Sequence, residues 1–430
     1  MKPPTNNTPP QGYKMTELGV LPEEWEVVRL GEVADIVMGQ SPPGSSYNET
    51  GVGLPFLQGK AEFGPLHPLH IKYTTTPIKI APKDSVLLSV RAPVGDVNLA
   101  NIDYCIGRGL ASISLSSGKN IFLFYILTYL KNEIEKEGTG SIFKAINKTK
   151  LLNFKIPLPP LPEQQKISAV LSAVQEAKEK TEAVIKATKA LKKSMMKHLF
   201  TYGPVSPEEV ENIQLKETEI GPVPKDWEVV RLGEVLDFKN GINFKADQKG
   251  EKGILTIDVL NMYGNGIYVN LNNLYRVDKN IDKNYLLKEG DLLFVRSSLK
   301  REGVGWTSLF KPTNEPVTFC GFIIRARIIN KDIYPEYITN YLRTEIARDN
   351  LISSSGKVAI TNINQGMLGE IKIPLPPLPT QQKIASILSA IDAKIEAEEN
   401  KKQALEELFK SLLHNLMNAK IRVNHLEITS

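Results

Sequence analysis

The chain repeats itself, and the repeat limits its possible folds more than any other feature. TELGVLPEEWEVVRLGEV at 16–33 returns as TEIGPVPKDWEVVRLGEV at 218–235, with 13 of 18 positions identical. KIPLPPLPEQQKISAVLSAV at 155–174 returns as KIPLPPLPTQQKIASILSAI at 372–391, with 15 of 20 identical. Two such matches in the same order define two homologous halves in tandem. The first block recurs after 202 residues and the second after 217, so the second half carries 15 extra residues between its blocks. Similarity largely collapses in that intervening stretch. Drift of loops after duplication is one explanation. The sharper one is a scaffold holding two modules that read different things.

Residues 15–157 and 217–374 read as mixed, strand-rich domains. Short runs such as SVLLSV (85–90), ASISL (111–115), DLLFV (291–295) and GFIIRARII (321–329), bounded by Gly, Pro and Asn, are the strand candidates. Residues 123–137 and 335–350 carry the pattern of one helix in each domain. Each domain ends in IPLPPLP and then changes to a helical period. In the second copy Ile384, Leu388, Ile391, Ile395, Leu405, Phe409, Leu412 and Leu416 recur on four- and three-residue steps, interrupted by Glu398 and Lys402. Ile167, Leu171, Val174, Thr181, Ile185, Thr188, Met195 and Leu199 do so in the first, with Lys178 and Lys192 as exceptions. That is a coiled-coil-like seam. Pro162 and Pro379 suit the first helical turn. Neither helix can cover its own apolar stripe, so the two are expected to pack antiparallel. The Pro-rich run is read as a stiff connector fixing the helix exit, in preference to a polyproline ligand.

The expected fold class is therefore α+β: two tandem mixed α/β domains separated by two long helices packed as an antiparallel coiled coil, with pseudo-two-fold symmetry. The expected boundaries are a disordered tail at 1–14, domains at 15–157 and 204–374, and helices at 158–203 and 375–430.

Composition excludes more than it selects. No run approaches the eighteen apolar residues of a membrane-spanning helix, and the polar, Pro-rich start is no signal peptide. The two cysteines, Cys105 and Cys320, exclude a disulfide framework and fit a reducing cytoplasm. Net charge is +5 overall, divided as +2, +4, −1 and 0 over 1–157, 158–203, 204–374 and 375–430. Any grip on a polyanion must come from local clusters. No GxxxxGK[ST] loop and no Asn/Asp-Pro-Pro-aromatic tetrapeptide occurs. His67 and His70 lack partners at metal-ligand spacing and are read as loop residues. Cys105 is read as core packing. Trp25 and Trp227, at equivalent positions, suit core packing or a contact with a partner.

The order of blocks resembles that of the specificity subunits of type I restriction–modification systems: TELG..P..WE.VRLGEV, a variable domain, a polar segment, then IPLPPLP.QQKI and a long helix, all repeated. The segments 138–167 and 356–384 resemble the family's closing framework. GQSPPGSSYN (39–48), LPFLQGKAEFG (54–64), SVRAPVGDVNLA (89–100) and CIGRGLASI (105–113) resemble a recurrent kind of target-recognition domain. The resemblance implies two target-recognition domains, each reading one half of a split site in double-stranded DNA, with the helices as spacer. It implies docking of two adenine-N6 methyltransferase subunits and of restriction/translocase subunits. S-adenosylmethionine, ATP and Mg would sit on those partners, and this chain would bind no cofactor and catalyse nothing. A specificity subunit of a fused restriction–methylation system and a structural coiled-coil adaptor are the alternatives.

Base readout requires Arg or Lys against guanine and Asn or Gln against adenine, and phosphate contact requires Lys, Arg or small polar donors. Gln40, Ser41, Gln58, Lys60, Arg91 and Arg108 lie in Gly/Pro-bounded turns of the first domain. Arg108, between two glycines that allow close backbone approach, is the leading candidate there. Lys239, Asn240, Asn243, Lys245 and the cluster Arg296, Ser297, Ser298, Lys300 and Arg301 are their counterparts in the second.

Overall fold

The two repeated blocks of each half are each other's partners. Strand Glu26–Arg29 pairs antiparallel with Lys155–Leu158, setting Val28 opposite Ile156 and Val27 opposite Pro157. Glu228–Arg231 and Lys372–Leu375 repeat the ladder, with Val230 opposite Ile373. A two-stranded ladder leaves every strand an open edge, where proline is tolerated although it donates no N–H. The diverged stretch thus leaves and re-enters each half through the same ribbon. A one-turn helix follows each first strand, and its glutamate reaches back: Glu32 accepts from the Arg29 N–H at 3.0 Å and Glu234 from the Arg231 N–H at 3.2 Å. At the return, Asn147 and Asn364 cap short helices by accepting from the Lys150 and Met367 N–H groups.

The computed structural model describes residues 9–138, 145–264, 266–353 and 361–426. Residues 1–8 of the expected tail, 139–144 and 356–360 of the closing framework segments, and 354–355 lie outside them. Tyr13 and Lys14, assigned to the tail, already belong to strand Tyr13–Thr16, which pairs with Gly19–Pro22. The chain forms two compact units: Met1–Lys180 with Lys402–Ser430, and Thr181–Lys401. Each unit holds one diverged domain and a stretch of both long helices.

In the first unit a four-stranded antiparallel sheet runs Val97–Leu99, Val86–Ser89, Leu110–Leu115, Ala34–Met38. A five-stranded mixed sheet contains the parallel pair Leu54–Leu57 and Tyr104–Ile106. The second unit has the same plan: Leu236–Asn240, Ile323–Ile328, Leu292–Val295 and Thr307–Leu309 form the antiparallel sheet. Ile254–Ile257 and Val317–Phe319 form its parallel pair. The helix expected at 123–137 is two, Asn120–Tyr129 and Lys131–Glu137. Leu130 between them leaves helical geometry, and the bend keeps Ile134 in the same core as Phe122 to Leu127. The helix expected at 335–350 is likewise Pro335–Tyr341 and Glu345–Ser353.

The long helices span Leu161–Tyr202 and Leu378–Met417. Within the first unit they run antiparallel: Glu163 meets Arg422 just beyond the second helix, whereas Lys178 lies over the Phe409 ring at 5.0 Å. Within the second, Lys189 meets Glu399 at 2.6 Å and Lys192 meets Asp392 at 2.5 Å. Lys178 and Lys192, which interrupt the apolar period, therefore have partners on the facing helix. Ile167, Leu171, Leu416 and Met417 join the core of the first unit; Leu199, Phe200, Ile384 and Leu388 join that of the second. Among the described residues no helix is long and apolar enough to cross a membrane.

Candidate nucleic-acid interface

The site candidates of the first unit converge because four strands end together. Ala34–Met38 runs into Gly39 and Gln40, Leu54–Leu57 into Gln58, Val86–Ser89 towards Arg91, and Tyr104–Ile106 into Gly107 and Arg108. Glycine makes the convergence possible. A Cβ on Gly39 would stand 2.1 Å from the Gly107 carbonyl oxygen, and one on Gly109 would stand 2.4 Å from that of Gln58. The Arg108 backbone N–H reaches the Ser41 hydroxyl at 3.4 Å. The side chains of Gln40, Gln58, Lys60, Arg91 and Arg108 are exposed, and Ser41 is half-buried. Gln58, Lys60 and Arg91 line one cavity of about 590 Å³. Lys60 is not an open cation: its ammonium meets Asp96 at 2.7 Å, and Lys131 meets the same carboxylate at 2.5 Å. Burial alone would raise the Asp96 pKa, but the two ammonium groups outweigh it and hold the carboxyl below its ordinary value.

The second unit builds the same place from other side chains. Strand register makes the correspondence explicit. Ile106 pairs with Leu57 as Phe319 pairs with Ile257, and Ala111 pairs with Met38 as Ile324 pairs with Asn240. Counting from these pairs, Gly39 corresponds to Gly241, whose Cβ would meet the Cys320 carbonyl oxygen at 2.0 Å. Arg108, whose counterpart the sequence leaves unclear, corresponds to Gly321. Arg91 corresponds to Ser297 and Gly109 to Phe322.

Ser297, Ser298 and Lys300 line a cavity of about 720 Å³, and Arg301 opens the adjoining turn Arg301–Gly303. Arg296 is half-buried and donates to the Gly321 carbonyl oxygen at 3.4 Å. Asn243 stands beside Gly321. Lys239, Asn240 and Lys245 are not part of this lining. Lys239 lies over the Tyr285 ring at 4.3 Å, and Lys245 precedes the turn Ala246–Gln248.

Sequence reasoning missed the aromatic part of this cavity. Tyr263, Trp306 and Phe322 line it. Arg343 and Arg348 lie against the Trp306 ring at 4.7 and 5.6 Å. Arg343 donates to the Thr307 and Gly266 carbonyl oxygens and to the Ser308 hydroxyl, and burial pulls its guanidinium down to about 10. The one sequence signal was a lone tryptophan in GVGWTS, which has no counterpart in the first half.

The residues set aside in the sequence have structural roles here. His67 shares a hydrogen bond with the Leu99 carbonyl oxygen at 2.8 Å, and His70 with the Tyr104 hydroxyl at 2.6 Å. Cys105 is buried in a strand, and burial raises its thiol. Burial likewise pushes Cys320 up to about 12, with Asp258 adding to the shift. Trp25 and Trp227 are buried in the cores of their units.

The model of the type I restriction modification DNA specificity domain matches residues 22–188 and again 224–407. The chain belongs to that family. Its two matched segments are the two halves defined by the repeat, and as a specificity subunit it supplies DNA specificity, not catalysis. Over 422 residues it is 28% identical to the type I restriction enzyme MjaVIII specificity subunit of Methanocaldococcus jannaschii, covering 94% of this chain and 95% of that one. Over 195 residues, 44% of this chain and 46% of the relative, it is 49% identical to another M. jannaschii protein named for a type I specificity subunit, MjaX. The fold is similar to that of the S subunit of a type I restriction–modification system from M. genitalium. The TM-score is 0.61 at 18% identity, with 91% of this chain and 96% of that one covered.

Proposed function

We propose that each unit reads one half of an asymmetric, two-part DNA site, presenting its strand-end cluster to the major groove. The chain would dock two adenine-N6 methyltransferase subunits and the restriction/translocase subunits of its complex. S-adenosylmethionine, ATP and Mg belong to those partners, and this chain positions them on the sequence it selects. The observation that carries the reading is the contrast within the repeat. The ribbon, its glutamate cap and the close approach of Gly39 and Gly241 are the same in both units, while register-equivalent side chains at the strand ends differ. Arg91 against Ser297 and Arg108 against Gly321 are changes in hydrogen-bonding code on one backbone, which is what two different half-sites demand.

The test is an exchange. The chain is expressed with its methyltransferase partners and the methylated adenines of the host genome are mapped. Residues 34–137 are then replaced by the matching stretch of another specificity subunit. One half of the methylated motif should change while the other half stays. A motif that changes in both halves, or an undivided motif, would overturn the reading.

A further inference from the structure

Register equivalence isolates what is distinctive about the second unit. Where the first has Gly109 it has Phe322, which stands in solvent, as does Leu260 of the turn Val259–Met262. Leu260 is 84% exposed and Phe322 61%, and Leu299 between Ser298 and Lys300 is 89% exposed. Leu299 and Phe322 line the 720 Å³ cavity together with the half-buried face of Trp306. Large apolar side chains gathered on a surface mark a contact.

The surroundings say with what. Lys300 and Arg301 are exposed at the rim, and the Ser297 and Ser298 side chains are half-buried beside them. Behind Trp306, Arg348 is buried, donates to the Glu302 carbonyl oxygen, and leaves its Nη1 with no hydrogen-bond partner. Of the acidic residues in the lining, Asp258 is engaged: its carboxylate accepts from the Val259 N–H and from the Cys320 thiol. Glu302 is the other. The cavity therefore offers apolar surface beside two exposed cations, Lys300 and Arg301, and one exposed acid, Glu302. Duplex DNA presents the matching pair in its major groove, where phosphates flank the C5 methyl of thymine, the apolar group on a base edge there.

Resting on the DNA-reading function above, we propose that Leu299 and Phe322 read a thymine in the half-site of the second unit by packing on its C5 methyl. Lys300 and Arg301 hold neighbouring phosphates. The first unit, with Gly109 where the second has Phe322, lacks this apolar contact.

Uracil is thymine without the methyl, so the test removes only the group in question. The motif is mapped and the half-site of the second unit assigned by the exchange of residues 34–137. The complex of the chain with its methyltransferase subunits is then titrated with duplexes carrying uracil for each thymine in turn, on either strand. At one position or two the affinity should fall about fourfold, the worth of one buried methyl. In Leu299→Ser and Phe322→Ser the same replacement should cost almost nothing. Indifference of the wild-type complex to every uracil, or an undiminished uracil effect in both variants, overturns the proposal. If the cavity instead holds a protein partner, uracil has no effect and the variants recruit the methyltransferase subunits poorly, which also overturns it. A complex that does not bind its mapped motif at all would sink the DNA-reading function itself. Binding that is tight but indifferent to uracil sinks only the thymine contact.

Discussion

Glu163 and Thr380 occupy the same place in the two copies of the repeated block, yet they meet different surroundings. Glu163 is 5% exposed and accepts from the Trp25 indole at 2.8 Å and from Arg422 at 2.7 and 3.0 Å. Nothing local in the sequence marks the difference, because Arg422 lies 259 residues away. Glu163→Ala leaves the buried Trp25 indole N–H without its acceptor and Arg422 with Glu24 alone, so it should destabilise the first unit by about 2 kcal/mol in urea unfolding. A single-variant loss under about 0.5 kcal/mol would contradict the pairing. The acidic limb of stability has a local source as well. The hydrogen bond from Arg422 lowers the Glu24 pKa, and Lys131 and Lys60 lower that of Asp96 against its burial. A folded pKa below the unfolded value, near 4 for these carboxyls, means stability present above about pH 4 and lost as pH falls through the folded values. Asp96→Asn should flatten that acid limb in stability measured against pH; an unchanged slope would show that Asp96 contributes nothing to it. The cationic and amide candidates were legible as residue types. Their register partners were not, because nothing local links Arg108 to Gly321.

At the scale of elements, strand runs and helical periods were readable because burial imposes them every two or three to four residues. The pairing of the repeated blocks was not, since WEVVR and KIPL are separated by the whole diverged stretch and only the ladder brings them together. The breaks at Leu130 and near Arg343 were hidden for a related reason: tertiary packing bends these helices, while their apolar content reads as continuous. The part of the first long helix that joins the second unit is anchored by Phe200, whose ring lies 5.5 Å from Tyr337 and 5.4 Å from Tyr341. Truncating a buried phenylalanine leaves a cavity as well as losing its transfer energy, so Phe200→Ala should cost about 3–5 kcal/mol. Leu191 on the same helix is 52% exposed, and Leu191→Ala should stay within about 0.5 kcal/mol. Thermal unfolding of the two variants tests this, and equal losses would mean the helix is held by propensity instead of by its buried face.

For the whole molecule, the sequence showed two helices with apolar seams but not that each is shared between two units. That division has a consequence for half the chain. The core of the first unit is completed by Leu416, Met417, Ala419 and Val423, which arrive from the far end of the sequence. A fragment of residues 1–203 lacks all four, and its own segment 181–202 is left without the second unit it normally joins. The repeat offers a substitute. With the 217-residue offset of the second block, Leu199 corresponds to Leu416 and Phe200 to Met417. Both leucines are fully buried in the intact chain. A second copy of the fragment can therefore lay Leu199 and Phe200 where Leu416 and Met417 belong and receive the same in return, giving an isologous dimer. The exchange is imperfect: the position equivalent to Arg422 is 205, beyond the fragment's last residue, so Glu163 loses its cation and the dimer should be weaker than the intact packing. Both reading surfaces would then be first-unit surfaces, and with methyltransferase partners the methylated motif should become two inverted copies of the first half-site. Sedimentation of the fragment at tens of micromolar and methylation mapping test the two steps in turn. A monomer throughout that range, or an asymmetric motif, would show that Leu199 and Phe200 cannot replace the distant residues.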